Sequence, residues 1–366
     1  MAGIKTEEKI QEGSIYGQIV SMGHEQLVFC YDEPTGLKAI IAIHNTVLGP
    51  SLGGTRMWNY ASEEEAITDV LRLSRGMTFK AAISGLNIGG GKAVLIGDPK
   101  LKTEAYLRRL GRFIDSLGGR YITAEDVNMK TRDMEYIAME TSYVTGLPEI
   151  KGGGGDPSPV TAYGTYMGIK AAARKAYGSD TLSGKKILVQ GIGQVGKHLV
   201  EYLKKEDAVI AISDIDQKKL SEVVSWSKAE IVAANQVYDY PMDIYSPCAL
   251  GAVLHDESIP RLKCDVIAGA ANNQLKDEER HGQMLLDYGI LYAPDFLINA
   301  GGLINVYAEY QGGYKKELAY QQAENIYATC LEVLHTAYRE NETPQQTALK
   351  MALERISSIT KVKLSY

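Results

Sequence analysis

The sequence predicts an α/β protein built from two domains. Three observations carry this prediction: a length of 366 residues, a run of four glycines from Gly152 to Gly155, and an alternation of strand-like and helix-like segments after that run. Domains commonly hold about 100–200 residues, so the length favours two of them. The glycine run, followed by Asp156 to Pro159, is typical of a flexible crossing. We place a first domain at residues 1–148 and a second at residues 149–334.

The composition narrows the classes of function. A chain that is 45% hydrophobic and 23% charged can bury a sizeable core, and its net charge of −6 argues against nucleic-acid binding. The charged segment Met1 to Gly13 predicts neither a signal peptide nor a membrane anchor. Four scattered cysteines and six dispersed histidines show no metal-ligand spacing. We expect a cytoplasmic protein with no metal and no membrane or nucleic-acid partner.

The elements of the first domain follow from hydrophobic patterning. Strand-like segments occur at Leu27 to Tyr31 and Leu37 to Ile43, and helix-like segments occur at Glu63 to Gly76 and Thr103 to Leu117. This mixture indicates a separate α/β domain.

The second domain alternates more regularly. Apolar runs at Ile187 to Val189, Val209 to Ile212 and Val266 to Ala268 are separated by helix-like segments, which predicts a parallel sheet with crossover helices. The pattern becomes helical after about Leu318, and the break before Pro344 precedes one final helix. We expect the helix at about residues 335–366 to pack back onto the first domain.

A glycine motif opens the second domain's first crossover. The strand ending at Gln190 runs into Gly191, Ile192, Gly193, Gln194, Val195 and Gly196, and a helix-like segment follows. In such a motif the first glycine permits a tight turn, the second lets the backbone approach a pyrophosphate, and the third allows close helix-strand packing. The motif predicts a Rossmann-type dinucleotide-binding domain. A coincidental turn between a strand and a helix is the alternative.

Asp214 indicates which dinucleotide is bound. It ends the next strand, 23 positions after Gly191, where a carboxylate can accept hydrogen bonds from the ribose hydroxyls and repel a 2′-phosphate. This favours NAD. Lys218 and Lys219 lie close enough in sequence to leave the phosphorylated cofactor as the alternative.

Two lysines in the first half are candidates for chemistry. Lys80 follows Gly76 to Phe79, and Lys92 directly follows Gly89 to Gly91, which we interpret as a turn that brings backbone N–H groups and Lys92 to a ligand. Two lysines at one pocket would lower each other's pKa from about 10.4, so that one could bind a carboxylate while the other acts as a base. A phosphate-binding loop or two solvated lysines remain the alternatives.

Asp126 supports the catalytic interpretation. It follows the strand-like run Tyr121 to Ala124, and active-site carboxylates of open α/β sheets often lie at such strand ends. The alternative for Asp126 is a helix cap or a solvated loop acid.

Several long motifs resemble those of the glutamate, leucine, phenylalanine and valine dehydrogenase family, and most closely its leucine-specific members. The resemblance covers nearly the whole chain and rests on His24 to Cys30, Leu48 to Trp58, Gly89 to Pro99, Pro157 to Gly164, Ser246 to Gly251, Ala271 to Leu275 and Ile298 to Gly302. It implies an N-terminal substrate-binding and oligomerisation domain, a Rossmann-type domain, and an active site in the cleft between them. A homo-oligomer, by family analogy an octamer, is also implied.

The resemblance implies a role for each site residue. Lys80 would hold the substrate carboxylate with Asn273 assisting, Lys92 would be the catalytic base, and Asp126 would transfer protons around the amine. Backbone donors of Gly89 to Gly91 would stabilise developing oxygen charge. Further cofactor contacts would come from Thr161, Ala249 and Asn299. The implied reaction removes hydride from an amino acid, adds water to the iminium, and releases a 2-oxo acid and ammonia.

The implied pocket is apolar. Its residues would be Leu52, Gly53, Ala124, Leu303 and Val306, and none is a cation that could pair with a glutamate side chain. A branched-chain aliphatic L-amino acid, with leucine favoured, is the expected substrate. A phenylalanine or valine dehydrogenase is the alternative within the family, and a non-catalytic NAD-binding regulatory module is the alternative of another class.

Three departures from the family pattern matter here. Val127 to Met129 replace the usual glycine-threonine pair, Leu303 stands where several relatives carry valine, and Asn272 stands where relatives commonly carry aspartate. The last of these puts the local charge around Asn273 in question.

Overall fold

The computed structural model describes residues 14–363, so the segment Met1 to Gly13 and the last three residues lie outside the described part. The helices are α1 (Ile15–Met22), α2 (Glu63–Ile83), α3 (Glu104–Asp115), α4 (Thr131–Ile137), α5 (Ser158–Tyr177), α6 (Gln194–Lys205), α7 (Gln217–Ser227), α8 (Glu278–Asp287), α9 (Asp295–Ile298), α10 (Gly301–Tyr310), α11 (Lys316–Glu340) and α12 (Pro344–Lys363). The strands are β1 (Gln26–Asp32), β2 (Leu37–Asn45), β3 (Ser51–Leu52), β4 (Thr55–Trp58), β5 (Gly89–Ile96), β6 (Tyr121–Ile122), β7 (Lys186–Gln190), β8 (Val209–Ser213), β9 (Glu230–Ile231), β10 (Ile244–Pro247), β11 (Val266–Ile267) and β12 (Leu291–Tyr292).

The chain forms two compact units. The first contains the described residues up to Thr78 and those from Asn87 to Leu147, and the second contains Phe79 to Leu86 and the described residues from Pro148 onward. Each unit holds its own six-stranded sheet. The short segment that carries Lys80 therefore belongs to the second unit.

The sheet of the first unit is mixed. Its order is β1-β2-β5-β3-β6, with β4 also paired to β5. The β1–β2 and β2–β5 pairs are antiparallel, whereas β3, β4 and β6 join by parallel pairing. Alternate residues of β2 face opposite sides, as the strand period of two requires. Ile41 and Ile43 pack with α3 and α4, while Ile40 and Ala42 pack with α2.

The glycines before Lys92 do not form the turn that the sequence suggested. Gly89 to Gly91 open β5, and the Gly89 N–H donates to the Pro50 carbonyl at 2.9 Å. A Cβ atom at Gly90 would lie 2.1 Å from the Thr78 nitrogen of α2, and one at Gly89 would lie 1.8 Å from the Asn45 carbonyl oxygen of β2. The glycines therefore allow close packing inside the sheet layer, and the expected turn was wrong.

The sheet of the second unit is entirely parallel, as the sequence predicted. Its order is β12-β11-β10-β7-β8-β9. The chain proceeds outward from β7 on one side and from β10 on the other, so the strand order reverses between these two neighbours. Ligands of open parallel sheets bind at the carboxyl ends of the strands beside such a reversal. Residues after β7, β8, β10 and β11 are therefore brought to one edge.

The chain after residue 335 contributes the end of α11 and all of α12. In the second unit α12 packs on α11 and α8, and the Arg355 guanidinium donates to the carbonyls of Ala82 and Leu86 at 3.2 and 2.7 Å. These two hydrogen bonds tie the final helix to the segment that carries Lys80.

The glycine run at 152–155 is held by side chains of the same unit. The Gly154 N–H donates to the Glu309 carboxylate at 2.9 Å, and the buried Asn305 amide donates to the Gly154 carbonyl at 3.3 Å. Gly153 and Gly154 are themselves buried. The run is thus anchored on α10, and the flexible crossing expected here stays a prediction.

Candidate active site

The first unit brings Lys92 and Asp126 into direct contact. Lys92 projects from β5, and Asp126 lies in the loop after β6 at the carboxyl edge of the sheet. The Lys92 Nζ atom is 2.8 Å from Asp126 Oδ2, and the lysine side chain is only 7% exposed. A buried ion pair of this kind requires close geometry, because neither charge can be satisfied by bulk water. The two residues predicted to be catalytic therefore lie together.

Three residues that the sequence analysis did not single out extend this pair. Arg56 of β4 donates from Nε to the same oxygen, Asp126 Oδ2, at 2.9 Å. Its Nη1 atom lies 3.2 Å from Asp69 Oδ2 of α2, and Asp69 also accepts a hydrogen bond from the Tyr60 hydroxyl at 2.6 Å. The available sequence signal for Arg56 was its position immediately after Gly53, Gly54 and Thr55. No local pattern marks Asp69.

The electrostatics of Asp126 follow from these contacts. Burial raises the pKa of its carboxyl group, but the Lys92 and Arg56 charges outweigh burial and hold that pKa below its ordinary value. Asp126 is therefore a carboxylate at neutral pH. For Tyr60, burial and its hydrogen bond to Asp69 raise the hydroxyl pKa well above the ordinary range, so it remains a neutral donor.

Lys80 lies in the last turn of α2 and contacts the loop after β11. Its Nζ atom donates to Asn272 Oδ1 at 3.2 Å, and the Asn299 amide donates to the same oxygen at 2.8 Å. The residue predicted to assist Lys80 was Asn273, which is exposed and has a left-handed backbone with a φ of 52°. The structure therefore brings Lys80 to Asn272, the neighbour of the predicted residue.

A buried acid fixes the loop that presents Asn272. Asp295 Oδ2 accepts a 2.7 Å hydrogen bond from the Gln274 N–H, and the Gln274 amide donates to the carbonyls of Gly269 and Ala271. Burial raises the Asp295 pKa, and the Gln274 N–H and the nearby Lys80 charge only partly oppose that rise. This acid was missed because no motif marks it, although it lies only four residues before the predicted Asn299.

The predicted pocket residues fall into two groups, one in each unit. Leu52 ends β3 and Gly53 follows it, while Ala124 follows the adjacent parallel strand β6, so these three share one edge of the first sheet. Leu303 and Val306 are spaced by three positions on α10 and so lie on one face of that helix. Leu52, Gly53, Ala124 and Leu303 are buried, and Val306 is partly exposed.

The glycine motif of the second unit forms a cradle between β7 and α6. Gly191 has a φ of 101°, and a Cβ there would lie 2.6 Å from the Ala249 side chain. A Cβ at Gly196 would lie 2.0 Å from the Gly191 carbonyl, whereas one at Gly193 would meet no described atom within 4 Å. Gln194 and Val195 begin α6, whose free N–H groups favour an anion. Space for a pyrophosphate therefore adjoins Gly193.

The surrounding residues fit a dinucleotide. Asp214 follows β8 and accepts hydrogen bonds from the Ile192 and Asp216 N–H groups at 2.6 and 2.8 Å, which fixes its carboxylate beside the glycine cradle. The buried Asn299 Oδ1 atom has no hydrogen-bond partner among residues 14–363 and so can accept one from a ligand amide. Thr161 of α5 lies beside Gly302, which is three residues after Asn299. A Cβ atom at Gly302 would lie 2.9 Å from the Thr161 hydroxyl oxygen.

The described part of the chain holds neither a cluster of metal ligands nor a helix that could cross a membrane. No cluster of three or more histidine, cysteine or acidic side chains within residues 14–363 could hold a metal ion. Over the same residues, no helix has the length and apolar character needed to cross a membrane.

Comparison with known proteins identifies the family. A profile described as the dimerisation domain of Glu/Leu/Phe/Val dehydrogenases matches residues 24–143, and the companion Glutamate/Leucine/Phenylalanine/Valine dehydrogenase profile matches residues 152–217 and 215–363. A leucine dehydrogenase from Thermoactinomyces intermedius is 53% identical over 96% of both chains. A phenylalanine dehydrogenase from the same organism is 43% identical over 93% of both chains.

A solved structure supports the same assignment. The crystal structure of L-tryptophan dehydrogenase from Nostoc punctiforme superposes with a TM-score of 0.85 at 45% identity, covering 95% of this chain and all of that one. The matched profiles cover both units, and the relatives act on different amino acids. This chain belongs to the Glu/Leu/Phe/Val dehydrogenase family of amino-acid dehydrogenases, which use nicotinamide cofactors.

Proposed function

We propose that the protein catalyses the NAD-dependent oxidative deamination of branched-chain aliphatic L-amino acids, leucine above the others, to the 2-oxo acid and ammonia. The observation that carries this proposal is the buried contact between Lys92 and Asp126 at 2.8 Å. It supplies a potential base and a carboxylate that can pass a proton on, both at one sheet edge, as acid-base catalysis at an amine carbon requires. The family membership supplies the reaction class.

The partners of the two lysines support different roles for them. Lys92 contacts a carboxylate, so proton exchange with Asp126 is open to it. Lys80 donates to the amide oxygen of Asn272. A lysine ammonium suits the α-carboxylate of an amino acid, because a charge-assisted hydrogen bond is stronger than a neutral one. We assign Lys80 to substrate binding with Asn273 nearby, and Lys92 to catalysis.

The proposed steps assign one task to each group. When bound, the nicotinamide would supply the acceptor for the hydride of the substrate α-carbon, and the substrate would then be an iminium. Lys92 takes a proton from the water that attacks the iminium carbon, and Asp126 passes that proton from Lys92 to the substrate nitrogen. The C–N bond then breaks, ammonia leaves, and the hydroxyl gives its proton to Lys92 as the carbonyl of the 2-oxo acid forms. Lys80 keeps the carboxylate fixed throughout, which lowers the entropic cost of the step.

Substrate choice in this proposal follows from the apolar character of Leu52, Gly53, Ala124, Leu303 and Val306. Neither group contains a cation for a glutamate side chain, and an unpaired buried carboxylate costs several kcal/mol. Leucine, isoleucine and valine should all react, since one methylene changes binding by only about 1–3 kcal/mol. A preference for phenylalanine or for valine is the alternative. The phenylalanine and tryptophan dehydrogenases among the relatives support the aromatic substrate.

The cofactor and assembly belong to the same proposal. The position of Asp214 beside the glycine cradle supports NAD, because a carboxylate there repels the 2′-phosphate of NADP. The match of residues 24–143 to a dimerisation-domain profile supports a homo-oligomer. We further propose a cytoplasmic protein that acts on a small-molecule substrate.

A spectrophotometric assay tests the proposal. NADH formation is measured with NAD and leucine, valine, isoleucine, phenylalanine or glutamate at alkaline pH, for the wild type, Lys92→Ala and the control Lys100→Ala. Lys100 is an exposed lysine just beyond β5. Leucine-dependent reduction that is lost only in Lys92→Ala supports the proposed reaction and base. NAD binding without any amino-acid-dependent reduction would instead favour the regulatory module.

A further inference from the structure

The buried charges around Asp126 extend beyond the lysine that the proposed reaction uses. Lys92 Nζ and Arg56 Nε both bind one oxygen, Asp126 Oδ2, at 2.8 and 2.9 Å. Arg56 in turn reaches Asp69 at 3.2 Å. Charges of alternating sign therefore run from Lys92 through Asp126 and Arg56 to Asp69. We call these four residues the Asp126 network.

The network is shielded enough for its members to influence one another. The exposed fractions of the Lys92, Asp126, Arg56 and Asp69 side chains are 7%, 22%, 24% and 29%. Partly buried charges are screened far less by salt than surface charges. Besides the network itself, the titratable groups that face it are Tyr60, which donates to Asp69, and the buried Tyr121 of β6, on whose hydroxyl Asp126 acts electrostatically.

We propose that Arg56 is a positioning residue that competes with Lys92 for Asp126 Oδ2 and so controls how readily Lys92 releases its proton, while Asp69 limits the strength of that competition. The inference rests on the proposed role of Lys92 as the base. It gives a task to Arg56 and Asp69, two residues that the proposed reaction steps do not use.

The signs of the expected effects follow from the contacts. Removal of the Arg56 charge leaves Asp126 Oδ2 wholly to Lys92, which stabilises the protonated lysine. The base then forms only at higher pH. Removal of the Asp69 charge frees Arg56 to act on Asp126 and on Lys92, which destabilises the protonated lysine. The two substitutions should therefore move the acid limb of the pH profile of kcat/KM in opposite directions. If both residues had only a structural role, no such opposed shifts would be expected.

The test is the pH profile of kcat/KM for leucine in the wild type, Arg56→Gln and Asp69→Asn. Ionisation of the free amino acid is common to all three profiles, so differences report on the enzyme. We expect Arg56→Gln to move the acid limb up by about one pH unit, a loss of about tenfold in kcat/KM below the limb. Asp69→Asn should move it down. Coincident limbs, or shifts in the same direction, overturn the inference.

Two controls separate electrostatics from folding. Arg109→Gln removes an arginine of α3 that pairs with Asp32 at 2.8 Å in the same unit, and it should leave the limb in place. Arg56→Lys keeps the charge and should return the limb to within about half a unit of the wild type. If Arg56→Gln does not fold, the other two variants still test the inference. Arg56→Lys should leave the acid limb near its wild-type position, and Asp69→Asn should move it to lower pH.

A second measurement distinguishes failure of the inference from failure of the proposed function. Carbamylation of Lys92 by cyanate needs the unprotonated amine, and its rate against pH can be followed by peptide mass spectrometry without any turnover. If the wild type reduces no cofactor with any amino acid, the proposed function fails. The inference then stands or falls on whether the carbamylation profile of Lys92 moves up in Arg56→Gln. An unmoved profile overturns it.

Discussion

Gly90→Ala tests the packing that supports the Lys92 strand. A Cβ at position 90 would lie 2.1 Å from the Thr78 nitrogen, 2.3 Å from its hydroxyl oxygen and 2.6 Å from the Ser74 carbonyl, whereas ordinary contacts begin near 3.4 Å. Two of these atoms are helix backbone, so the crowding cannot be relieved by a rotamer change. Helix α2 would have to retreat from β5 by about 1 Å, and overpacking of this kind costs about 1–3 kcal/mol.

The assay is thermal unfolding at fixed protein concentration and fixed pH, because the Tm of the proposed homo-oligomer would depend on concentration. Gly76→Ala is the matched control. Gly76 lies in α2, the helix that packs against Gly90, and a Cβ atom added at Gly76 would meet no described atom within 4 Å. Alanine in place of an interior helical glycine stabilises by up to about 1 kcal/mol. We therefore expect Gly90→Ala to lower Tm and Gly76→Ala to keep or raise it. A Gly90→Ala protein as stable as the wild type would refute the packing argument.

Two further predictions concern pH and cofactor choice. Burial lowers the pKa of His24 and of His44 to about 4, so both are neutral in the folded protein. Unfolded histidine titrates near pH 6.5, so stability is fully present above that pH and is lost as the pH falls from about 6.5 towards 4, by about 2 kcal/mol per histidine at about pH 5. The free energy of unfolding from urea titrations should show this loss, and the loss should be about half as large in His44→Gln. A variant whose unfolding free energy depends on pH as strongly as that of the wild type contradicts the prediction. Asp214→Ser removes the charge that repels a 2′-phosphate, and we expect the ratio of kcat/KM for NAD to that for NADP to fall at least tenfold. An unchanged ratio means that Asp214 does not select the cofactor.

The sequence predicted the features that contiguous patterns encode. The parallel sheet of the second unit followed from apolar runs, and the cradle around Gly193 followed from a motif whose spacing is itself the structural requirement. Gly89 to Gly91 were misinterpreted because a glycine cluster signals close approach without naming the approaching atom. In β5 that atom belongs to neighbouring strands and to α2. The correct element therefore depended on a contact that was not local in sequence.

The Asp126 network shows the same limit for a functional site. Asp69 lies on α2 beside Ala66, Ile67, Val70 and Leu71, which face the core, so its own helical position predicts a partly exposed acid and nothing more. Its meaning comes from Arg56, 13 positions earlier, and from Asp126, 57 positions later. A buried base that loses its proton leaves its carboxylate partner uncompensated, and a nearby cation lowers the cost of that state. Arg56 supplies that cation, and the ion pair with Asp69 offsets part of its charge. The requirement can be stated from chemistry alone, but which residues meet it is decided by how β4 and α2 pack.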